Sequence, residues 1–211
     1  MGVFQVNSYL LLCEETGKCV VVDPGDEPDI LLRRLDALGA APEAILNTHG
    51  HVDHVAGNAA LRSRFRVPIL MHPGDRFLVD GFQEQAAMFG LRLPSPPPPD
   101  GDLTPGEPFV FGRCRLDVLF TPGHSPGHVT LVHGRDAVSG DVLFAGSIGR
   151  TDLPGGSLDT LLDSIDRVLL PLGDDVAIHP GHGPSTSIGA ERRSNPFLRP
   201  ELRAELRRSG L

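Results

Sequence analysis

The chain has 211 residues, 40% hydrophobic and 22% charged, the balance of an ordinary globular protein long enough to bury a core without disulfide staples. Its net charge of −8 argues against a general nucleic-acid or anionic-membrane surface. No charged-then-apolar leader opens it, and no apolar run nears the roughly 18 residues of a membrane span, so a cytoplasmic protein is expected.

Two apolar runs, 9–13 and 19–22, flank Glu14-Glu15-Thr16-Gly17 and read as a β-hairpin. Cys13 and Cys19 could face each other across it, but with Cys114 they make only three cysteines and no CxxC pair; reduced thiols are expected. The second run stops at Asp23-Pro24-Gly25, a strand-to-loop signal. Leu31, Leu35 and Leu38 fall at helical spacing before Gly39. A short strand at 44–47 leads into THGHVDH (48–54), followed by a helix on Val55, Ala59, Leu61 and Phe65 and a strand at 67–71. The Pro-rich stretch from about 73 to 105 reads as a short helix and a long surface loop inserted in one domain, because strands resume on both sides. Strands follow at 108–111, 114–120, 128–133 and 136–140. A helix is expected over 158–170 with Ser157 as N-cap, then a last strand at 176–179 and a short helix in the Arg-rich tail, 196–211. Alternating strands and helices with interspersed hairpins predict a layered α/β protein with mixed sheets, one domain over 1–211.

The chemistry concentrates in THGHVDH. In extended chain His49 and His51 point to the same side and can grip one ion. Asp53 and His54, on the turn into a helix, suit a second ion beside it. Imidazole and carboxylate donors fit Zn²⁺, and also Fe or Mn. Further donors sit in glycine-containing turns after strands: His124 in TPGHSPGH (121–128), Asp141 in SGD (139–141) and His182 in PGHGP (180–184). The count closes with His49, His51 and His124 on one metal, Asp53, His54 and His182 on the other, and Asp141 bridging. Two metals about 3.5–4 Å apart would share a hydroxide held between Asp53 and Asp141. His72, His133 and His179 read as structural or solvated. His128 reads as a core residue or a support for a ligand. Asp23 either orients a ligand histidine through its free ring N–H or is an ordinary turn aspartate.

On these residues the chain resembles the metallo-β-lactamase fold superfamily, from about residue 7 to about 198. Within it the chain is most similar to the short bacterial type of hydroxyacylglutathione hydrolase (glyoxalase II). The matching segments are VVDPGDE (21–27), THGHVDHVAG (48–57), TPGHSPGH (121–128), GDVLFAGSIGRTDLPGG (140–156), LPLGDDV (170–176) and HPGHGPSTSIGAERRSNPFL (179–198). The resemblance implies an αβ/βα sandwich with the metals at the edge between two sheets, and the seven ligand roles just given. It also implies hydrolysis of a thioester such as S-D-lactoylglutathione, by attack of a metal-bridging hydroxide, to a hydroxy acid and a thiol. Only residues 183–211 follow His182, so the C-terminal helical domain that helps longer relatives hold glutathione is expected to be absent. The edge strand expected before Asn7 looks shortened or missing.

A thiolate leaves with little protonation, and the motifs show no dedicated acid, which favours a thioester over an amide. Arg150 would reach a substrate carboxylate or pair with Asp152. The 73–105 segment could wall the pocket, with Met88-Phe89-Gly90 as apolar surface. Persulfide dioxygenases of the same fold are the rival reading. They hold one iron, here on His49, His124 and Asp141, and share the GRTD segment (149–152), but end in a PAHDY-like motif where this chain has PGHGP. A non-catalytic metal-binding protein ranks lower because no donor is missing, and a nuclease is disfavoured by the acidic charge. The partner expected is a small molecule, with a homodimer through the tail as an option.

Overall fold

The structure is a computed structural model, described for residues 1–203. It consists of two mixed sheets packed face to face, with helices on both outer faces. The first sheet runs β1 (Tyr9–Leu12), β2 (Lys18–Val22), β3 (Ala41–Asn47), β4 (Ile69–Met71) and β5 (Gly101–Asp102), in that spatial order. Its opening hairpin is antiparallel, and β2 to β5 are parallel. The second sheet uses β6 (Phe109–Phe111), β7 (Cys114–Phe120), β8 (Val129–His133), β9 (Asp136–Gly140), β12 (Ala177–Pro180) and β13 (Thr186–Ser187), in the order β13-β12-β9-β8-β7-β6. A two-stranded ribbon, β10 (Leu143–Phe144) with β11 (Ser147–Ile148), follows β9.

Strand alternation sorts the core into layers. Val20, Val22, Ala44 and Leu46 point inward against Leu116, Val118, Val129 and Leu131 of the second sheet. Val21 and Ile45 point outward, onto α1 (Pro28–Leu38) and α3 (Asn58–Phe65) through Leu31, Leu35 and Leu61. On the far side, Ala137 and Ile178 meet Leu161, Leu162, Ile165, Leu169 and Ile188. The last belongs to α7 (Ile188–Ser194), and Leu161 and Leu162 to α6 (Leu158–Ser164). Strands β2 and β3 are covered on both faces, so they read as continuous apolar runs.

Several expectations meet their elements closely: the opening hairpin, α1 with Gly39 in the left-handed conformation that ends it, and Ser157 accepting from Thr160 N. Others are corrected. The helix after THGHVDH is two, α2 (Val52–Val55) and α3. The 73–105 segment is helix then loop as expected, but its one short helix is divided into a 3-10 turn (Pro73–Asp75), α4 (Arg76–Asp80) and α5 (Phe82–Met88) before an extended stretch reaches β5. The helix expected over 158–170 is α-helical to Ser164, then widens to a π-helix (Ile165–Leu169) and tightens to a 3-10 turn at Leu170–Leu172, where Pro171 has no N–H to continue it. Strand β12 is not the last, since β13 and α7 follow. Of the tail helix, 204–211 lie outside the described residues. Cys13 and Cys19 do not face each other: Cys19 pairs with Leu12, and the two cysteines pack into different cores. No helix among the described residues is long and apolar enough to cross a membrane.

Candidate metal centre

Each donor sits where a strand of either sheet ends. β3 ends at Asn47, and the chain turns into α2, whose N-terminal flank carries His49 and His51 and whose first turn carries Asp53 and His54. His124 follows β7, Asp141 follows β9 and His182 follows β12. Two glycines let the turns close. Gly140 has φ +48°, a conformation disfavoured for side-chain-bearing residues. Gly181 lies so close to the Asp141 carboxylate that a Cβ there would strike Oδ1.

The seven donors converge. One ligand atom each from His49, His51 and His124 lies within 4.8 Å of the others, and the same holds for Asp53, His54 and His182. Asp141 stands between the two trios: Oδ2 is 3.5 Å from His124 Nε2 and 3.5 Å from His182 Nε2, and Oδ1 is 3.6 Å from His54 Nε2. His49 Nε2, His54 Nε2 and Asp141 Oδ1 are buried without a hydrogen-bond partner, and His51 turns Nδ1 inward, 2.8 Å from His124 Nε2. Buried polar atoms are normally paired, so a cluster of orphans aimed at common space fits a cation. Asp23, His49 and His54 also lie close together. Those Asp23 oxygens already accept from Thr48 N at 2.7 Å, Thr48 Oγ1 at 2.6 Å and His54 Nδ1 at 3.0 Å, so that grouping backs the site rather than holding an ion.

The ring nitrogens turned away from the centre are nearly all occupied, which fixes the tautomers. His49 Nδ1 meets Thr48 Oγ1 at 3.0 Å, whose own proton goes to Asp23. His54 Nδ1 donates to Asp23, His124 Nδ1 to the Arg150 carbonyl at 2.7 Å, and His182 Nδ1 to the Phe4 carbonyl at 3.0 Å. His128 is buried against His49, ring centroids 4.9 Å apart, and its Nε2 accepts from Asp141 N at 3.0 Å. His72 accepts from Gly74 N, His133 donates to the Arg115 carbonyl, and His179 pairs with Asp136. Four supports were not foreseen: the Thr48 hydroxyl, the Phe4 carbonyl, the Arg150 carbonyl and Asp75. Buried Asp75 accepts from Gly50 N at 3.0 Å and Ser125 Oγ at 2.6 Å, and from Gly127 N, so it ties the two histidine loops together. A backbone carbonyl leaves no residue-type signal, and Asp75 stands alone in a segment read as loop.

Electrostatics divide the trios. Burial and neighbouring imidazoles hold His49 far below the usual histidine range and pull His51 down to about 3, so both offer lone pairs. Burial opposes a charge on His54, but Asp53, Asp141 and Asp23 outweigh it and lift it to about 10. Burial likewise opposes a charge on His182, and its hydrogen bond with Asp53 and the charge of Asp141 raise it. Burial disfavours the Asp53 anion, yet His54 and His182 keep it below the usual carboxylate range. The carboxylates around the second trio thus favour positive charge at its centre, on His54 and His182 or on a bound cation.

Above the cluster opens a cavity of about 300 Å³. Phe4, Phe89, Phe144, Ile148 and Leu153 make it largely apolar, with Gln85, Ser147 and Arg150 as polar groups. The 73–105 segment therefore contributes a wall through Gln85 and Phe89, while Met88 is 65% exposed and lies off it. The Arg150 guanidinium forms a two-pronged pair with Asp152, both contacts 2.7 Å.

The model of the "Metallo-beta-lactamase superfamily" matches residues 1–182. Hydroxyacylglutathione hydrolase GloC of Haemophilus influenzae is 41% identical over 199 residues, covering 92% of this chain and 93% of that protein. Among solved structures, TTHA1623 in a di-iron-bound form is 44% identical with a TM-score of 0.87, over 94% of this chain and 98% of that one. The B3 metallo-beta-lactamase BLEG-1 is 37% identical with a TM-score of 0.88, over 94% and 96%. The chain belongs to the metallo-beta-lactamase superfamily. It is a metallo-hydrolase of that fold, with histidine and aspartate groups suited to divalent metal ions.

Proposed function

We propose that the protein hydrolyses a small thioester, of the S-D-lactoylglutathione kind, at a two-metal site. His49, His51 and His124 hold one ion, Asp53, His54 and His182 the other, and Asp141 bridges them. The observation that carries this reading is the set of buried, unpaired donor atoms on both sides of one carboxylate, at the floor of a cavity. Two divalent ions, Zn²⁺ by donor type or iron as in TTHA1623, would supply an acidified water and polarise the substrate carbonyl.

The chain's own groups do the rest. Asp53 and Asp141 orient the attacking water and accept its hydrogen bonds. Asp23, Thr48, the Arg150 carbonyl and the Phe4 carbonyl keep the imidazoles turned inward. The apolar walls exclude bulk water and strengthen every charge interaction inside. Apart from the donors themselves and the paired Arg150, the cavity lining offers, among the described residues, no titratable group to protonate a leaving amine. A thiolate needs no such help, because its conjugate acid has a pKa near ~8.5. Arg150 would exchange Asp152 for a substrate carboxylate.

The test is thiol release from S-D-lactoylglutathione by zinc-loaded protein, beside a metal-stripped control. Metal-dependent release is expected. Asp141→Asn should lower turnover by at least ~100-fold while circular dichroism stays native; near-normal activity would remove the bridging role. One iron per chain, with persulfide-dependent oxygen uptake and no thioester cleavage, would replace this reading by that of a dioxygenase.

A further inference from the structure

Away from the metal-facing cluster, the hairpins that open the two sheets meet at their tips. Cys13 directly follows β1, Gly112 and Arg113 make the turn from β6 into β7, and Cys114 opens β7. Arg113 N donates to Cys13 Sγ at 3.3 Å. The same arginine's Nη1 pairs with Glu15 of the first hairpin at 2.7 Å, and Gly112 N donates to Glu43 of β3 at 3.0 Å, so the second tip is fastened to the first sheet at two points. Gly112 has φ +53°, and a Cβ there would lie 3.0 Å from both Cys13 Cβ and Sγ. Glycine is what lets the second hairpin lie against the thiol. Cys114, the residue after Arg113, packs against the same inter-sheet cluster that holds Cys13. Cys114 also lines an inter-sheet groove of about 290 Å³, whereas Cys13 lies beneath, 2% exposed. Cys19 is buried in the core on the other face of the first sheet.

We propose that Cys13 and Cys114 form a redox-responsive dithiol that closes to a reversible disulfide and clamps the first hairpin of one sheet to the first hairpin of the other. The oxidant is a small hydroperoxide reaching the pair through the groove. Hydrogen bonds from Thr16 and Arg113 hold the Cys13 thiol down to about 7, so it supplies the thiolate at neutral pH. Burial and the neighbouring Cys13 push the Cys114 thiol up, so it stays protonated beside that thiolate. The Cys13 thiolate attacks a peroxide oxygen and the O–O bond breaks. The leaving alkoxide or hydroxide takes a proton, and Cys13 becomes a sulfenic acid. Cys114 loses its proton and attacks the Cys13 sulfur. The S–S bond forms, the S–O bond breaks, and the departing hydroxide takes that proton to leave as water. Two thiols are oxidised by two electrons and one hydroperoxide is reduced; a small dithiol reverses the change.

The experiment treats the metal-loaded full chain with hydrogen peroxide, then counts free thiols after unfolding and maps peptides without reduction. Two of the three cysteines should be lost together. They should reappear with dithiothreitol, and the linked peptides should carry Cys13 and Cys114, with Cys19 free. Cys19→Ser should keep the link. Cys114→Ser, checked for native circular dichroism, should lose it and leave a sulfenic acid on Cys13 that dimedone traps. A link through Cys19, a link only between two chains, or an unchanged thiol loss in Cys114→Ser would overturn the proposal. So would Cys13 and Cys114 remaining free while Cys19 oxidises.

Discussion

Asp23 carries a left-handed backbone, φ +49°, at the end of β2, and its carboxylate serves both Thr48 and His54. The tolerance of aspartate for that conformation lets one buried residue leave a strand and turn its side chain back under the metal loop. Asp23→Ala removes the acceptor that fixes the His54 tautomer, so metal affinity should fall about 10- to 100-fold. Competition against a chromophoric chelator measures it, and an unchanged affinity would mean that packing alone orients His54. The sulfur of Cys13 gives a pH prediction. Hydrogen bonds from Thr16 and Arg113 hold its thiol down to about 7, and the thiolate is the reactive form, so its reactivity rises with pH. Peroxide-driven thiol loss at Cys13 should therefore reach half its limiting rate near pH 7, while unfolded protein titrates near ~8.5. A folded-state midpoint matching that of unfolded chain would remove Thr16 and Arg113 as stabilisers of the anion.

At the scale of elements, the 73–105 segment carries more helix than the one short helix expected of it. Its prolines and glycines suggest a loop, and the stretch after α5 is one. The first half docks α4 and α5 on α2 through Val79, Phe82 and Ala86, a run too short for its periodicity to separate two helices. The short strands β5, β10, β11 and β13 have two residues each, too few for alternation to show. Asp75, in the turn that starts this segment, holds Gly50 and Gly127 by their backbone N–H groups and Ser125 by its hydroxyl. Asp75→Ala leaves three buried donors without an acceptor, and should cost about 3 kcal/mol of stability by urea unfolding. A loss under ~0.5 kcal/mol would mean that water replaces the carboxylate.

Across the whole molecule, donors from both sheets meet at one edge of the sandwich. The first sheet contributes β3 and α2, and the second contributes the turns after β7, β9 and β12. An ion bound there ties the sheets together and favours the folded state by mass action. With free metal at about 100 times its Kd, stripping the metal should lower the melting temperature by roughly 5–10 °C for a chain of this size. Equal melting of stripped and loaded protein in calorimetry would show that the donors hold no ion tightly.

What the sequence determined by itself was the donor inventory and the order of the long elements. HxHxDH puts four donors within six residues, so local geometry alone directs them to neighbouring space, and His124, Asp141 and His182 stand out because each occupies a glycine-containing turn after an apolar run. What only the tertiary structure decided was how those donors are held and what lies around them. The Phe4 and Arg150 carbonyls, Asp75, the Phe89 wall and the meeting of Cys13 with Cys114 join segments far apart in the chain. Such contacts are set by how two sheets and their helices pack, which local periodicity does not encode.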